Sequence, residues 1–239
     1  MTILNANFIG SLAKEINGEA KHVIIGLNWS YVEGPNGAGL IHTPTKDISG
    51  CKSLPSSGYY QGQALADLAT LVESENMYER ILGFAAINAH YNRYDMRGNN
   101  INGLDLIKDY GEQTVIFGHF PGIEKKLPTA IIIEKEKTAY NYPTESIRSF
   151  VCDAKCLAIT ASTLSNGSLG FILENASSDA IIILIGPSAP LSPNLFDIGI
   201  TAISGFVVND PSTMGIMISE GAAFSSIKNL GNYMTLQSQ

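Results

Sequence analysis

Five short and almost wholly apolar runs recur in the second half of the chain, and each has the length of one β-strand. Segments with helical patterning or turn residues separate these runs, which cover residues 114–117, 130–133, 156–160, 180–185 and 202–208. Apolar runs without polar alternation are typical of strands buried on both faces, as in a parallel sheet covered by helices. The pattern therefore predicts a Rossmann-like α/β domain with a mainly parallel sheet.

The first part of the chain shows a different pattern, in which helices accompany a β-branched hairpin. The predicted elements are an amphipathic helix ending near Gly18, a hairpin over 22–43 with its turn at 34–37, a short helix over 63–72 and a longer helix from an N-cap at Ser74 to about Asn92. These elements predict an α+β domain. A Gly- and Asn-rich stretch at 97–103 interrupts the pattern, so we predict one domain over 1–103 and a second over 104–239.

The composition excludes several classes of function. A net charge of -7 with only 15% charged residues leaves no basic patch for nucleic acid. The apolar runs are strand-sized, whereas a membrane-spanning helix needs about 18 apolar residues, and the N-terminus lacks the pattern of a secretory signal. An odd count of three cysteines suits reduced thiols, so we expect a cytoplasmic protein without nucleic-acid or membrane partners. The oligomeric state is open, with a homo-oligomer among the alternatives.

Ligands of open α/β sheets bind outside the carboxyl ends of the strands, so the residues after each predicted strand are the candidates for a site. The first of these strands is followed by Gly118, His119, Phe120 and Pro121, without the Gly-x-Gly-x-x-Gly spacing of a dinucleotide loop. Pro121 lacks a backbone donor, and Phe120 adds bulk where a pyrophosphate would approach. A standard NAD site is therefore disfavoured, while His119 is placed at the predicted crevice.

Polar residues follow the next predicted strands as well. Glu134 ends the second one, where an acidic residue can contact a ribose hydroxyl, but it also opens a charge run typical of a solvated loop. The segment 160–167 supplies hydroxyl and amide groups before a helix, where an anion can bind, unless Ser165 or Asn166 only caps that helix. The loop after the fourth strand is rich in proline and leaves Ser188 free near the strand end.

Two further sets of residues leave alternatives open. Asn88 lies beside the apolar stripe of its helix and either ties this helix to the hairpin or lines a crevice between the domains. Trp29 and Tyr31 on the hairpin are either core residues or pocket walls. The pair Cys152 and Cys156 lacks the Cys-x-x-Cys spacing of zinc sites, and no second pair exists to complete one.

The remaining histidines give no metal signature either. His22, His42 and His90 are scattered along the chain, and a tetrahedral metal site needs ligands that converge. No Ser/His/Asp order can be extracted by spacing, and the sequence Gly-x-Ser-x-Gly is absent. The spacing of residues therefore predicts neither a metal site nor a catalytic triad.

Several segments together resemble the heavy-metal chelation family, whose name rests on an inferred role. These segments are 118–121, 157–167, 186–191 and 196–200 in the second domain and 83–89 in the first. The resemblance implies an N-terminal domain similar to that of enolase, a Rossmann-like C-terminal domain and an active site in the crevice between them. The matching family positions are Asn88, Gly118, Phe120, Pro121, Glu134, Thr163, Asn166, Gly186, Pro187, Ser188 and Pro190.

Three functions follow from these observations. The first is a protein that binds a small anionic or metal-chelating ligand in the crevice, with Asn166, Ser188 and Glu134 as polar contacts and a heavy-metal ion as the group that the family implies. The second is an enzyme that uses a nucleotide or S-adenosylmethionine, with Glu134 holding a ribose. The third is an assembly or regulatory module whose loop edge is plugged by side chains or by a partner subunit.

Overall fold

Two separate β-sheets organise the described residues of the computed structural model, which are 6–44, 53–134 and 147–238. A three-stranded antiparallel sheet belongs to the first part of the chain, and a mostly parallel six-stranded sheet belongs to the second. This mixed α/β architecture agrees with the prediction from the apolar runs. Within these three ranges, no helix is long and apolar enough to cross a membrane.

The first sheet has the strand order β1 (His22–Ile25), β2 (Trp29–Glu33) and β3 (Ala38–His42). The predicted hairpin corresponds to β2 and β3, but its first strand was predicted to be continuous and is in fact two strands. The chain turns back at Gly26, whose N–H donates to Trp29 O at 3.0 Å. A Cβ at Gly26 would lie 2.4 Å from Ile218 O, so only glycine allows this turn to pack so closely.

Three helices form layers on the first sheet. They are α1 (Ala6–Ala13), α2 (Leu65–Thr70) and α3 (Met77–Tyr91). Helix α3 packs against β2 and β3, α2 packs against α3, and α1 packs against α2. The predicted N-cap of α3 was Ser74, but the N-cap is Asn76, whose Oδ1 accepts from Tyr78 N at 3.0 Å. The Ser74 hydroxyl instead donates to Glu79 Oε2 at 2.6 Å.

Helix α3 crosses β3 at very short range because Gly39 has no side chain. A Cβ at this position would lie 2.0 Å from Ala85 O and 2.7 Å from Ala89 N, both on the α3 backbone. Residues 81–89 of α3 are all buried, so this contact is central to the N-terminal core.

The second sheet has the order β5-β4-β6-β7-β8-β9. Its strands are β4 (Thr114–Phe117), β5 (Ile131–Ile133), β6 (Cys156–Thr160), β7 (Ile181–Ile185), β8 (Ala202–Val208) and β9 (Gly231–Gln237). Strands β4 to β8 are parallel and correspond to the five predicted strands, while β9 pairs antiparallel with β8. The edge strand β9 escaped prediction because polar residues such as Asn232 and Thr235 interrupt its apolar pattern.

Apolar side chains cover both faces of the second sheet. One face, represented by Leu157, joins a core that includes α5 (Ile147–Val151) and α7 (Ser168–Asn175). The other face, represented by Ala158, packs against α4 (Ile123–Lys126). The remaining α-helices of the described residues are α6 (Ser162–Ser165), α8 (Pro211–Ser219) and α9 (Phe224–Ile227). Because α3 contributes to the same core as α5 and α7, the two parts of the chain share apolar packing, and the domain boundary near 103 stays a prediction.

Candidate functional site

A cavity of about 340 Å³ lies at the carboxyl ends of β4, β6 and β7. The strand order reverses between β4 and β6, and open α/β sheets bind ligands at such a reversal. The lining residues come from the strand-end loops, the first sheet and the C-terminal segment; they are Trp29, His42, Asn102, Leu104, His119, Phe120, Pro121, Thr160, Ala161, Ser162, Ile185, Gly186, Pro187, Ser188, Phe224 and Tyr233. A volume in this range accommodates a small organic molecule.

The loops after β4 and β6 meet where Gly118 adopts a φ of 96°. A Cβ at Gly118 would lie 2.7 Å from Thr160 Cγ2, so glycine permits both the backbone conformation and the close approach. Thr160 Oγ1 and Ser162 Oγ lie 3.3 Å apart and present a hydroxyl pair to the cavity. His119 Nδ1 lies 3.5 Å from Glu124 Oε1, which leaves the His119 Nε2 atom as the nitrogen that can meet a ligand.

The loop after β7 brings backbone close to the cavity. Gly186 has a φ of 135°, and its N–H donates to Ser204 O at 3.0 Å. A Cβ at Gly186 would meet only atoms of Ala161, at 3.8 Å, so the backbone at Gly186 is open to an approaching molecule. Ser188 is buried, and its Oγ accepts from the His42 backbone N–H at 3.2 Å. The cavity-lining Ser188 thereby joins the second sheet to the end of β3.

Three aromatic rings, Trp29, Phe224 and Tyr233, form a surface of the cavity that we call the aromatic wall. The ring centroids of Trp29 and Phe224 are 5.5 Å apart, and those of Phe224 and Tyr233 are 6.2 Å apart. The His42 ring stands edge-on to Trp29, with centroids 5.7 Å apart. Desolvation raises the pKa of Tyr233 to about 12 and lowers the pKa of His42, so the neutral forms of both side chains are favoured at neutral pH.

Two asparagines, Asn88 on α3 and Asn92 at the C-cap of α3, hold the loop that carries Ser188. Asn88 Nδ2 donates to Leu40 O at 3.1 Å and to Ser188 O at 3.0 Å, so Asn88 ties its helix both to the first sheet and to this loop. One turn further, Asn92 Nδ2 donates to Ala189 O at 3.0 Å and to Phe206 O at 3.2 Å. Asn92 Oδ1 accepts from the backbone N–H of residue 191 at 2.9 Å. We call Asn88 and Asn92 the amide clasp.

The Gly- and Asn-rich stretch after α3 reaches the cavity because two hydroxyls of the second sheet hold it. The Gly103 N–H donates to Ser204 Oγ at 3.0 Å. Thr235 Oγ1 lies 2.6 Å from Ile101 O and 3.1 Å from Ser204 Oγ. These contacts fix the backbone on both sides of Asn102, which therefore lines the cavity at a defined position.

The predicted site residues fall into two groups. Those that line the cavity are His119, Phe120, Pro121, Gly186, Pro187 and Ser188. The others are outside the lining. Gly118 packs on Thr160, and Thr163 Oγ1 donates to Thr160 O at 2.7 Å. Pro190 is buried in the loop after β7, Asn88 belongs to the amide clasp, Glu134 follows β5, and Asn166 Oδ1 accepts from Ser168 N at 3.0 Å at the start of α7. The charge run after Glu134 and Cys51 lie outside the described residues.

Several lining residues were not predicted from the sequence. His42 was dismissed as one of the scattered histidines, yet β3 carries it to the cavity. Phe224 and Tyr233 come from a segment without any motif, and their aromatic character was the only signal in the sequence. Asn92 of the amide clasp had a clearer signal, since it follows Asn88 by four residues and so lies on the same face of the helix.

The described residues do not fit a bare heavy-metal ion. Over 6–44, 53–134 and 147–238, no group of three or more His, Cys, Asp or Glu side chains could hold a metal ion. Cys156 begins β6 and Cys152 precedes it, so both thiols lie at the end of this strand away from the cavity. Soft metal ions prefer thiolate ligands, whereas the described cavity residues offer hydroxyls, an amide and the imidazoles of His42 and His119.

Two family matches cover most of the chain and carry the same description. Residues 11–91 match the DUF4213 family and residues 102–237 match the DUF364 family, both described as "Putative heavy-metal chelation". The chain belongs to the heavy-metal chelation family. The resemblance of the sequence segments to this family is therefore confirmed, and the matched ranges include both sheets and most of the residues that line the cavity.

Proteins similar to this member of the heavy-metal chelation family include an uncharacterized protein of Methanocaldococcus jannaschii. It is 27% identical, and the alignment spans 61% of this chain and 61% of that protein, which is less than two thirds of its length. A DUF364 protein of unknown function from Desulfitobacterium hafniense has a TM-score of 0.83 and 25% identity, with 97% of both chains covered. A second one, from Pyrococcus horikoshii, has a TM-score of 0.80 and 20% identity over 97% of both chains and shows the fold alone.

Proposed function

We propose that this protein binds a small metal-chelating molecule, free or as its metal complex, in the cavity at the carboxyl ends of β4, β6 and β7. In this proposal the protein takes part in heavy-metal handling by recognising the chelate and not the bare ion. The observation that carries the proposal is a cavity at the strand-order reversal whose described residues offer hydrogen-bond partners and aromatic rings but no set of metal ligands.

The polar groups of the cavity suit the outer atoms of a chelate. Ser162 and Ser188 supply hydroxyls that can donate or accept, and the His119 Nε2 atom is free of the contact with Glu124. A chelator already satisfies the metal ion with its own donor atoms, so the protein needs only to meet the remaining oxygen and nitrogen atoms of the chelator. The family description supports a metal in this role, and the absence of a thiolate set in the described cavity residues favours its arrival as a complex.

We also propose the finer description of the architecture that the sequence predicted. In this description an enolase-N-terminal-like unit ends near residue 103, a Rossmann-like unit follows, and the cavity is the crevice between them. Support comes from the lining, since Trp29 and His42 belong to the first sheet while Thr160, Ser162 and Ser188 follow strands of the second. The amide clasp then sets the distance between the two units at the cavity.

Calorimetry tests the proposal directly. Zn²⁺ and Cu²⁺ would be titrated alone, and then as their complexes with citrate and with 8-hydroxyquinoline. We expect at least one complex to bind more tightly than its bare ion. Ser162→Ala and Ser188→Ala should each weaken that binding roughly 3- to 10-fold, because one hydrogen bond contributes about 0.5–1.5 kcal/mol.

Matched control variants show whether an effect on binding comes from the cavity lining or from nearby residues outside it. Ser165→Ala removes a hydroxyl from the same helix as Ser162, but Ser165 is not in the cavity lining and its Oγ donates to Ser162 O. Asn166→Ala removes a side chain that accepts from Ser168 N at the start of α7 and that is also outside the lining. Both controls should keep the affinity of the wild-type protein. The proposal fails if bare ions bind as tightly as their complexes and if Ser162→Ala and Ser188→Ala leave the affinity unchanged.

The alternative function is an enzyme that uses a nucleotide or S-adenosylmethionine at the same crevice. The observation that favours it is the position of Glu134, which directly follows β5 next to the end of β4, where the Gly118 N–H donates to Ile133 O at 3.0 Å. In this alternative, mass spectrometry of the purified protein detects an adenine-containing ligand, and Glu134→Gln weakens its binding. Unchanged binding in Glu134→Gln would argue against a ribose contact by Glu134.

A further inference from the structure

The aromatic wall favours flat, apolar ligand groups, which the hydrogen-bonding groups of the cavity alone would not favour. Trp29 contacts Phe224, and Phe224 contacts Tyr233, with centroid distances of 5.5 and 6.2 Å. The ring of Phe206 supports the wall from behind the lining, at 5.4 Å from Phe224 and 5.6 Å from Tyr233. Because Phe206 is buried and not part of the lining, this arrangement holds the wall rigid without occupying the cavity. Rigid aromatic surfaces bind flat, apolar groups at low entropic cost.

The rest of the lining leaves room for a flat group near the protein backbone. Ala161 and Gly186 have small side chains or none, and a Cβ at Gly186 would meet no atom nearer than 3.8 Å. Pro187 and Ile185 add apolar surface on the same loop. Polar groups are restricted to hydroxyls, an amide and two imidazoles, so a bound ring can place heteroatoms against them without burying many polar groups unpaired.

The absence of charged side chains from the described cavity lining also disfavours a polyanionic ligand. Among the described residues that line the cavity, none is Lys, Arg, Asp or Glu. A polycarboxylate such as citrate would lose its hydration there without gaining a cationic partner, which is unfavourable. The overall net charge of -7 adds a long-range repulsion of polyanions.

We infer that the ligand carries a planar aromatic ring that packs against the wall formed by Trp29, Phe224 and Tyr233, so that the chelates bound by this protein are those of heteroaromatic chelators and not of polycarboxylates. Because the planes of neighbouring wall rings are inclined by 50° and 64°, the ligand ring stacks on one of them and meets the others edge-on. This inference rests on the proposed function and names its ligand class. The ring provides the affinity, and the chelating oxygen, which keeps a lone pair for a hydrogen bond when it binds the metal, faces the Thr160 and Ser162 hydroxyls and the His119 imidazole.

The experiment uses Trp29 as an internal reporter, because it is the single tryptophan of the chain. Tryptophan fluorescence and calorimetry would follow the titration of the full-length protein with 8-hydroxyquinoline, with its Zn²⁺ complex, with quinoline and with Zn²⁺ citrate. We expect 8-hydroxyquinoline and its complex to change the Trp29 emission and to bind at least tenfold more tightly than Zn²⁺ citrate. Quinoline keeps the ring but lacks the chelating hydroxyl and should bind with intermediate affinity.

Substitutions in the aromatic wall form the second part of the experiment and test whether the wall is the binding surface. Phe224→Leu and Tyr233→Leu keep an apolar side chain but remove a ring, and each should weaken 8-hydroxyquinoline binding roughly 3- to 10-fold, in line with the energies of aromatic pairs. Tyr233→Phe keeps the ring and should retain the affinity. Phe171→Leu changes an exposed phenylalanine outside the cavity lining and serves as the matched control. Thermal unfolding of every variant checks the fold, and the comparison of the four probes on the wild-type protein does not depend on any variant.

The outcomes separate the inference from the proposed function. Tight binding of Zn²⁺ citrate with no binding of 8-hydroxyquinoline would overturn the inference and leave a chelate-binding protein. Equal affinity of 8-hydroxyquinoline for the wild-type protein and for folded Phe224→Leu and Tyr233→Leu would overturn the wall as the binding surface. If neither free 8-hydroxyquinoline nor any complex binds more tightly than the bare ions, the proposed function fails together with the inference.

Discussion

Replacement of Asn92 by alanine is expected to lower the free energy of unfolding by about 3–5 kcal/mol, because three buried backbone groups lose their hydrogen-bond partner at once. Asn92 is fully buried, and its amide contacts Ala189 O, Phe206 O and the backbone N–H of Leu191. Each buried polar group left without a partner costs about 1–3 kcal/mol. Urea unfolding followed by circular dichroism measures this loss.

The matched control for Asn92→Ala is Asn209→Ala. Asn209 is exposed where the chain leaves β8, and its replacement should change the free energy of unfolding by less than about 0.5 kcal/mol. Asn92→Ala should also weaken ligand binding, since the loop that carries Ser188 loses one of its two anchors. A loss of stability similar to that of the control would mean that the amide clasp does not hold the two parts of the chain together.

Gly39→Ala is the second substitution with a large expected effect. The added methyl group would lie 2.0 Å from Ala85 O and 2.7 Å from Ala89 N, and neither backbone atom can move without displacing α3. We expect a loss of about 3 kcal/mol or more, at the upper end of the range for overpacking, because the contact is with backbone and not with a flexible side chain. Thermal and urea unfolding measure the change.

Gly98→Ala provides the control for Gly39→Ala. A Cβ at Gly98 meets no atom within 4 Å, and its φ lies outside the left-handed region. The same added methyl group should therefore be neutral or slightly stabilising there, by restricting the unfolded chain. Equal stability of Gly39→Ala and Gly98→Ala would show that α3 does not approach β3 as closely as the structure indicates.

The parallel strands could be predicted because strands buried on both faces have continuous apolar runs in the sequence. A local capping signal also agrees with the structure at α8, since Asp followed by Pro is typical of a helix start: Asp210 Oδ1 accepts from Thr213 N at 3.0 Å, and Pro211 is the first helical residue. The division of the first predicted strand at Gly26 could not be predicted, since it depends on a contact with Ile218, far away in the sequence. Strand β9 was missed because both of its faces carry polar residues, such as Asn232 on one face and Thr235 on the other.

The candidate site was predictable where it depends on strand ends and unpredictable where it depends on tertiary contacts. His119 and Ser188 follow parallel strands, and the rule that ligands bind at such ends identified them. His42, Phe224 and Tyr233 reach the cavity from outside the parallel strands, so no spacing in the sequence joins them. Asn166 had two interpretations, as a ligand contact or as a helix cap; its Oδ1 accepts from Ser168 N at the start of α7, whose N-cap residue is Gly167, and its role as a ligand contact stays a prediction.

The decisive measurement is anomalous diffraction from crystals grown with the zinc chelate that binds most tightly. It tests whether the protein binds the chelate in the cavity, because it locates the metal without any assumption about the chelator. We expect one strong zinc peak inside the cavity, next to Ser162 and Ser188 and beside the aromatic wall. A zinc peak at Cys152 or another surface side chain, with no peak in the cavity, would contradict it.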